Sequence, residues 1–262
     1  MRVLGDIPYS GRQGIPLALD LYLPETPAQA TVLHAHGGGF FKGHRRAKRV
    51  RPLAERLTQQ GLALASVSYR LATPPTAFTA SDLEIIRESR KRSLRQGVSI
   101  AKRMLGPAFE AARQDIGTAL SFLRLNHSRY DIQSDKVAVL GISAGGIAGF
   151  SLAYPPANLP QFPKPDAVVA LGATMVQPWE FTKNGPPALL IHSQQDNIIA
   201  PGNAQNTFAA AQMVGAPVTV LTCERKGHNA PVQALLQDDA NDELPYWDHM
   251  TTLFETAGLI SP

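Results

Sequence analysis

The stretch Val137-Ala-Val-Leu-Gly-Ile-Ser143-Ala-Gly-Gly-Ile-Ala-Gly-Phe150 leaves a chain few ways to fold. A fully apolar, β-branched run leads into Gly141-Ile142-Ser143-Ala144-Gly145, and small and apolar residues then continue at helical spacing. The pattern predicts a strand, a very tight turn and a helix, with a serine at the apex. At such a turn the flanking residues crowd the serine, so the glycines two before and two after it relieve a clash that a Cβ would create. The turn lifts Oγ out of the sheet, and the helix N-terminus behind it offers free N–H groups to a developing negative charge. By itself the same pattern also describes a Gly-rich strand–helix connection with an incidental serine. The rest of the chain has to decide.

With 262 residues, 44% of them hydrophobic and 18% charged, the chain has the size and composition of one large α/β domain. No segment approaches the roughly 18 consecutive apolar residues of a membrane span. Met1-Arg-Val-Leu-Gly-Asp-Ile-Pro8 lacks an apolar signal region followed by a small-residue cleavage site, so the expected location is cytoplasmic. The single cysteine, Cys223, excludes an internal disulfide, and after Val218-Thr-Val-Leu-Thr222 it reads as a buried structural thiol. No Cys/His cluster has metal-ligand spacing, so no metal is expected. The net charge of +4 is unevenly spread: Lys42 to Arg56 carries seven Lys/Arg against Glu55, and Arg87 to Arg103 carries seven against Glu88. The plain expectation is two solvated helix faces; the sharper ones are an anionic substrate, an acidic partner or a membrane surface. A nucleic-acid partner is not expected, because the basic runs lack interleaved aromatics and no DNA- or RNA-binding motif is present.

Leu17-Ala-Leu-Asp-Leu-Tyr-Leu23 alternates and stops at Pro24, which predicts an antiparallel strand at the start of a sheet. Thr31 to His36 is a second strand running into Gly37-Gly38-Gly39-Phe40, whose uncovered backbone N–H groups an oxyanion can approach closely. His36 is expected to hold that loop by hydrogen bonding and His34 to be an ordinary packed histidine. A helix from Arg49 to Gln60 ends at Gly61, and Leu62 to Tyr69 is a buried strand. The weakly patterned, basic segment 72–107 is longer than an ordinary connection and predicts a cap- or lid-like helical insertion. Phe109, Ala112, Ile116, Ala119, Leu120 and Leu123 mark one helix face leading to the serine strand. Asp166 to Leu171, Pro187 to His192 and Val218 to Cys223 are further strands, with helices near Asn203–Val214 and Tyr246–Glu255. Trp179 and Phe181, in a loop between two of these strands, are expected to line an acyl or alcohol pocket together with Phe40. Such β/α alternation implies a mostly parallel sheet with helices on both faces and a site at the carboxyl ends of its strands.

A nucleophilic serine needs a base, and the base needs an orienting acid. Of the acids between Ser143 and the next histidine in a strand-end loop, Asp166 opens a strand at the wrong edge, and Glu180 sits beside Trp179. Asp196 lies four residues beyond His192, at the right edge, with Glu224 as runner-up. His228, in Lys226-Gly-His-Asn229, follows the last strand, whereas His249 is embedded in a C-terminal helix. Asp196 and His228 are therefore the expected partners of Ser143.

His36-Gly-Gly-Gly-Phe40, Gly141-Ile-Ser-Ala-Gly-Gly146, the Asp196 loop and Gly227-His228 together resemble the α/β-hydrolase fold, and more narrowly its HGGG-bearing carboxylesterases. These include hormone-sensitive-lipase-like and acetyl-xylan-esterase-like enzymes. Leu19-Asp-Leu-Tyr-Leu-Pro24 and Tyr69-Arg70-Leu71 match as well. Ile142 stands where the lipase-like branch usually has Asp, which favours the acetyl-esterase-like branch. The resemblance implies a two-step acyl transfer on short-chain esters without any cofactor: Ser143 as nucleophile, His228 as base, Asp196 as orienting acid, and the amides of Gly37, Gly38 and Ala144 as the oxyanion hole. The same triad serves amide and formamide hydrolases, and a non-catalytic hydrolase-fold binding protein is the reading from another class. The expected partner is a small ester substrate, with membrane association not favoured and a homodimer compatible with the sequence.

Overall fold

The computed structural model describes every residue except Gln13 and Pro262. Eight strands form one sheet: β1 (Arg2–Arg12), β2 (Ile15–Leu23), β3 (Thr31–Ala35), β4 (Ala63–Val67), β5 (Val137–Ile142), β6 (Ala167–Leu171), β7 (Ala188–Gln195) and β8 (Val218–Lys226). Their order is β1-β2-β4-β3-β5-β6-β7-β8, with β2 antiparallel to both β1 and β4 and all later pairs parallel. The strand after β3 pairs on one side of it and β5 pairs on the other, Leu33 facing Ala65 and Val139. The direction of winding thus reverses at β3/β5, and a crevice opens beyond the carboxyl ends of that pair.

The seven helices among the described residues are α1 (Val50–Gln59), α2 (Ala80–Arg95), α3 (Pro107–Asn126), α4 (Ala144–Ala153), α5 (Gly202–Val214), α6 (Ala230–Gln237) and α7 (Tyr246–Thr256). Alternate strand residues feed two cores. Leu33, Val139 and Ala170 pack with α3 and α4 on one face; Val32, Leu140, Val169 and Ile191 pack with α1, α6 and α7 on the other. The central strands are buried on both faces, which is why their sequences read as continuous apolar runs. α4 is apolar all round and wholly buried against β5 and β6, as the helix carrying a central turn must be.

Two expectations change. The strand at Leu17–Leu23 is not the edge, because β1 pairs outside it. β1 carries Gly5, Pro8 and Gly11 and is half-exposed, so it lacks an apolar signal. Residues 42–49 are turns rather than a helix face, and two of their cations are consumed there: Arg45 and Arg46 clamp Asp6 and Asp20. Partial burial alone pushes the Asp20 carboxyl up, but the Arg46 and Arg45 hydrogen bonds and the Asp6 amide outweigh it, and its pKa falls to about 2.

The 72–107 segment contains α2 flanked by short 3-10 turns at Pro75–Ala77 and Lys102–Leu105. Thr79 and Asp82 form a reciprocal cap at the start of α2. Ser93 Oγ donates to Val176 O (2.6 Å), Gln177 Nε2 to Ser89 Oγ (3.1 Å), and Asn203 brackets Ser99 through both its backbone groups (2.8 and 3.0 Å). Val98, Met104 and Leu105 enter the main core. The segment is therefore fastened along its length.

Candidate active site

The serine turn takes the geometry that its glycines permit. Ser143 has φ +52° and ψ −115°, a strained conformation for any side chain, and its amide is held by Leu171 O at 2.8 Å. A Cβ on Gly141 would lie 2.3 Å from the backbone of Gly145 and Gly146, and one on Gly145 would lie 2.1 Å from Ala35 O. β3, β5 and α4 thus approach each other more closely than any other residue allows.

His228 Nε2 lies 2.8 Å from Ser143 Oγ, and His228 Nδ1 lies 2.8 Å from Asp196 Oδ2. The other carboxylate oxygen of Asp196 accepts from the amides of Ile198 (2.8 Å) and Ile199 (3.0 Å). Burial pushes the Asp196 carboxyl up, yet the His228 hydrogen bond and these amides outweigh it and hold its pKa below the usual carboxylate value. An ionised acid accepts from Nδ1–H, leaving Nε2 free to take the serine proton. Ser143 is 5% exposed and Asp196 6%, so water screens the chain of bonds little.

Beside the serine runs the glycine loop after β3. A Cβ on Gly37 would touch Ser143 Cβ at 3.3 Å, so the loop backbone lies directly against the nucleophile turn. Among the described residues, the amides of Gly37, Gly38 and Ala144 donate to no protein acceptor. Backbone N–H groups left without a protein acceptor are what an oxyanion requires. His36 Nδ1 lies 2.8 Å from Gly37 O; its ring stacks on Tyr69 at 4.2 Å, and Tyr69 OH donates to His36 O at 2.6 Å. Burial lowers the pKa of both His36 and His34; His34, on β3 itself, sets its Nδ1 3.0 Å from Ser66 Oγ.

The other candidates lie elsewhere. Asp166 accepts from Val137 N and Arg124 at the amino edge of the sheet, and Glu180 from Trp179 Nε1. His249 pairs with Asp242 on α7, and Glu224 is exposed on β8. Cys223 is buried, and burial pushes its thiol up to about 11, far from a nucleophile's range.

The pocket expectation needs correction. Phe40 is wholly buried, edge-on to Tyr69 and 5.6 Å from Phe109, so it props the glycine loop from inside. Phe181 is 4.8 Å from the Tyr154 ring and packs in the core. Trp179 lies under the Arg92 guanidinium (4.3 Å) in a groove between α2 and residues 156–158 that Ser143 does not line. In each case apolar or cationic neighbours, distant in sequence, claimed the ring.

Three contributors escape sequence reading. Gly172 (φ +59°) runs under His228, where a Cβ would lie 2.9 Å from His228 O. His192, fully buried on β7, places Nε2 2.9 Å from Ile199 O and 3.6 Å from Asp196 Oδ2, bracing the acid's loop. Tyr69, quoted only as part of a motif, carries the His36 stack. Among the described residues, no group of His, Cys, Asp and Glu could hold a metal ion, and no helix is long and apolar enough to cross a membrane.

The family model BD-FAE, an α/β-hydrolase esterase family, matches residues 19–88 and 96–154, which include both the glycine loop and the Ser143 turn. Over these residues the chain is similar to that esterase family, and its sheet order and serine turn are those of the α/β-hydrolase fold. The chain is similar over its whole length to the structure of Thermogutta terrifontis esterase 2 in its native form, with TM-score 0.70, 15% identity, and 100% of this chain and 94% of that one covered. It is also similar to a truncated carbohydrate esterase from gut microbiota, with TM-score 0.69, 16% identity, and 99% and 97% covered. At such identities the likeness is one of fold. Among curated proteins, the 5-methylorsellinic acid synthase of Aspergillus terreus is 32% identical over 165 residues, covering 60% of this chain. The match spans 5% of that much longer protein.

Proposed function

We propose that the protein is a serine carboxylesterase that cleaves short-chain esters by two-step acyl transfer, with Ser143, His228 and Asp196 as its catalytic residues. The observation that carries this reading is the unbroken chain from Asp196 through His228 to Ser143, 2.8 Å at each link, beside three unpartnered amides.

Ser143 Oγ attacks the ester carbonyl as its proton passes to His228 Nε2. Asp196 keeps Nδ1 protonated and stabilises the imidazolium that forms. The negative charge gathering on the carbonyl oxygen meets the amides of Gly37, Gly38 and Ala144, each worth about 3 kcal/mol in the transition state. His228 then gives the proton to the departing alkoxide, leaving an acyl-Ser143. A water deprotonated by His228 attacks that acyl group, and the acid leaves with Ser143 restored. Every proton is carried by one imidazole. Short acyl groups are favoured because Met104 of the insertion packs against the glycine loop, its Sδ only 3.9 Å from where a Gly39 Cβ would stand. The insertion 72–107 serves as a fixed cap on that wall. A buried, unpaired Cys223 suits the cytoplasm, where we place the enzyme.

Hydrolysis of p-nitrophenyl esters from acetate to decanoate, with Ser143→Ala alongside, tests the proposal. Rates should peak at acetate or butyrate, and the variant, still folded by circular dichroism, should fall to background. A variant as fast as the wild type would refute it.

A further inference from the structure

The loop segments beside the triad and the glycine loop carry a one-sided charge. Segments 36–49, 98–105, 141–146, 172–177, 194–201 and 226–229 contain one acid, Asp196, and its carboxylate is spent on His228 and two amides. The same segments hold Lys42, Lys48, Arg49, Lys102, Arg103 and Lys226, none of which forms an ion pair among the described residues. Arg45 and Arg46 have their acids; these six do not.

Contacts tie several of them to the reacting centre. Lys42 N donates to Gly38 O (3.2 Å), and the Lys42 stem lies 3.2 Å from where a Gly38 Cβ would stand, on a loop whose amides await the oxyanion. Arg103 sets its guanidinium 5.5 Å from the ring of Phe41, the residue two beyond Gly39, and Phe41 is itself 42% exposed. Arg49 donates to the side chain of Asn229, next to His228, at 2.6 Å. The turn carrying Lys102 and Arg103 continues from Ser99, Ile100 and Ala101, which line a cleft with Asp196, Asn197 and Ile198. Thus 98–105 runs from the acid's loop, at Ser99–Ala101, to the glycine loop, where Arg103 meets Phe41.

Unpaired cations on loop segments whose one acid, Asp196, is already hydrogen-bonded raise the local concentration of anions and hold a carboxylate that arrives. We propose that this enzyme selects esters bearing a carboxylate, bound by Lys42 and Arg103 while Ser143 attacks the ester carbonyl. The inference rests on the esterase reading above and assigns its substrate class. It also gives the basic run ending at Arg103 a purpose that a solvated helix face lacks.

The test compares matched esters by pH-stat at about 10 mM ionic strength: monomethyl succinate against methyl butyrate for a carboxylate on the acyl side, and 4-acetoxybenzoate against phenyl acetate for one on the alcohol side. In at least one pair the anionic ester should have a kcat/KM about tenfold higher or more, within the 10- to 1,000-fold range of electrostatic steering. That advantage should shrink severalfold in 0.5 M NaCl, where the screening length falls to a few ångströms. The double variant Lys42→Glu/Arg103→Glu should reverse the ratio; if it fails to fold, the salt dependence of the wild type decides. Neutral esters preferred in both pairs, or a preference indifferent to salt, would overturn the inference while leaving the esterase intact. No turnover of any ester would overturn the esterase reading, and this one with it.

Discussion

Asp196 shows how one residue sets the chemistry of its neighbours. Three hydrogen bonds keep it ionised in a buried place, so His228 is held in the tautomer that can take a proton from Ser143. Asp196→Asn keeps the shape but turns an acceptor into a donor on one side. Its kcat on p-nitrophenyl butyrate should drop roughly 1,000- to 10,000-fold with the melting temperature little changed. A drop of less than tenfold would mean that another acid, with exposed Glu224 the first to try, orients the imidazole. Ser143, Asp196 and His228 were legible because each is marked by its place just beyond a strand. His192 and Gly172 were not, since each acts only through a contact 4 to 56 residues away along the chain that folding creates. The aromatic residues misled for the same reason: Phe40, Trp179 and Phe181 look alike in a loop sequence, and only their packing partners separate core from cleft.

At the scale of elements, the site is the meeting of a glycine loop, a serine turn and a fastened insertion. Gly38 has φ +120°, and a Cβ there would lie 1.9 Å from Lys42 O, so Gly38→Ala must displace the loop. Losing one oxyanion donor in this way should cost about 100-fold or more in kcat/KM with circular dichroism unchanged; full activity would remove the loop from the mechanism. Gly145→Ala acts differently, driving α4 against β3 through the contact with Ala35 O. Overpacking of that kind costs about 1–3 kcal/mol, read as a melting temperature lowered by several degrees. An unaltered melting point would show that the helix has slack. The central strands were legible as continuous apolar runs and α3 from its apolar period, whereas β1 and α6 were not. β1 is a half-exposed edge interrupted by glycine and proline, and α6 is eight residues long with Pro231 in its first turn. The basic runs read as helix faces because charge alone carries no period; Arg45 and Arg46 found their acids on β1 and β2.

The whole molecule carries its own record of pH. His34 is fully buried, its pKa lowered to about 3, and burial lowers His36 and His192 as well. Each folded imidazole stays neutral while its unfolded counterpart takes a proton below about pH 6.5. The unfolded state therefore binds more protons, and stability, fully present above that pH, is lost as pH falls toward the folded value. The unfolding free energy measured in urea should be flat from pH 8 to 7 and then decline, at about 1.4 kcal/mol per pH unit for each such histidine. His34→Gln should flatten the slope, and an unfolding free energy independent of pH between 7 and 5 would contradict it. Asp20, lowered to about 2, adds a second loss only as pH drops from about 3.8 through 2. Where the sheet reverses its winding between β3 and β5, two loops that are distant in sequence meet, and the proposed chemistry depends on that meeting. The most direct measurement is therefore of the nucleophile. The protein is treated with diethyl p-nitrophenyl phosphate, and the modified residue is located by peptide mass spectrometry. One diethylphosphoryl group on Ser143, appearing in step with loss of ester hydrolysis and absent from His228→Ala, is the expected result. Labelling at any other residue, or hydrolysis that survives full modification of Ser143, would contradict it.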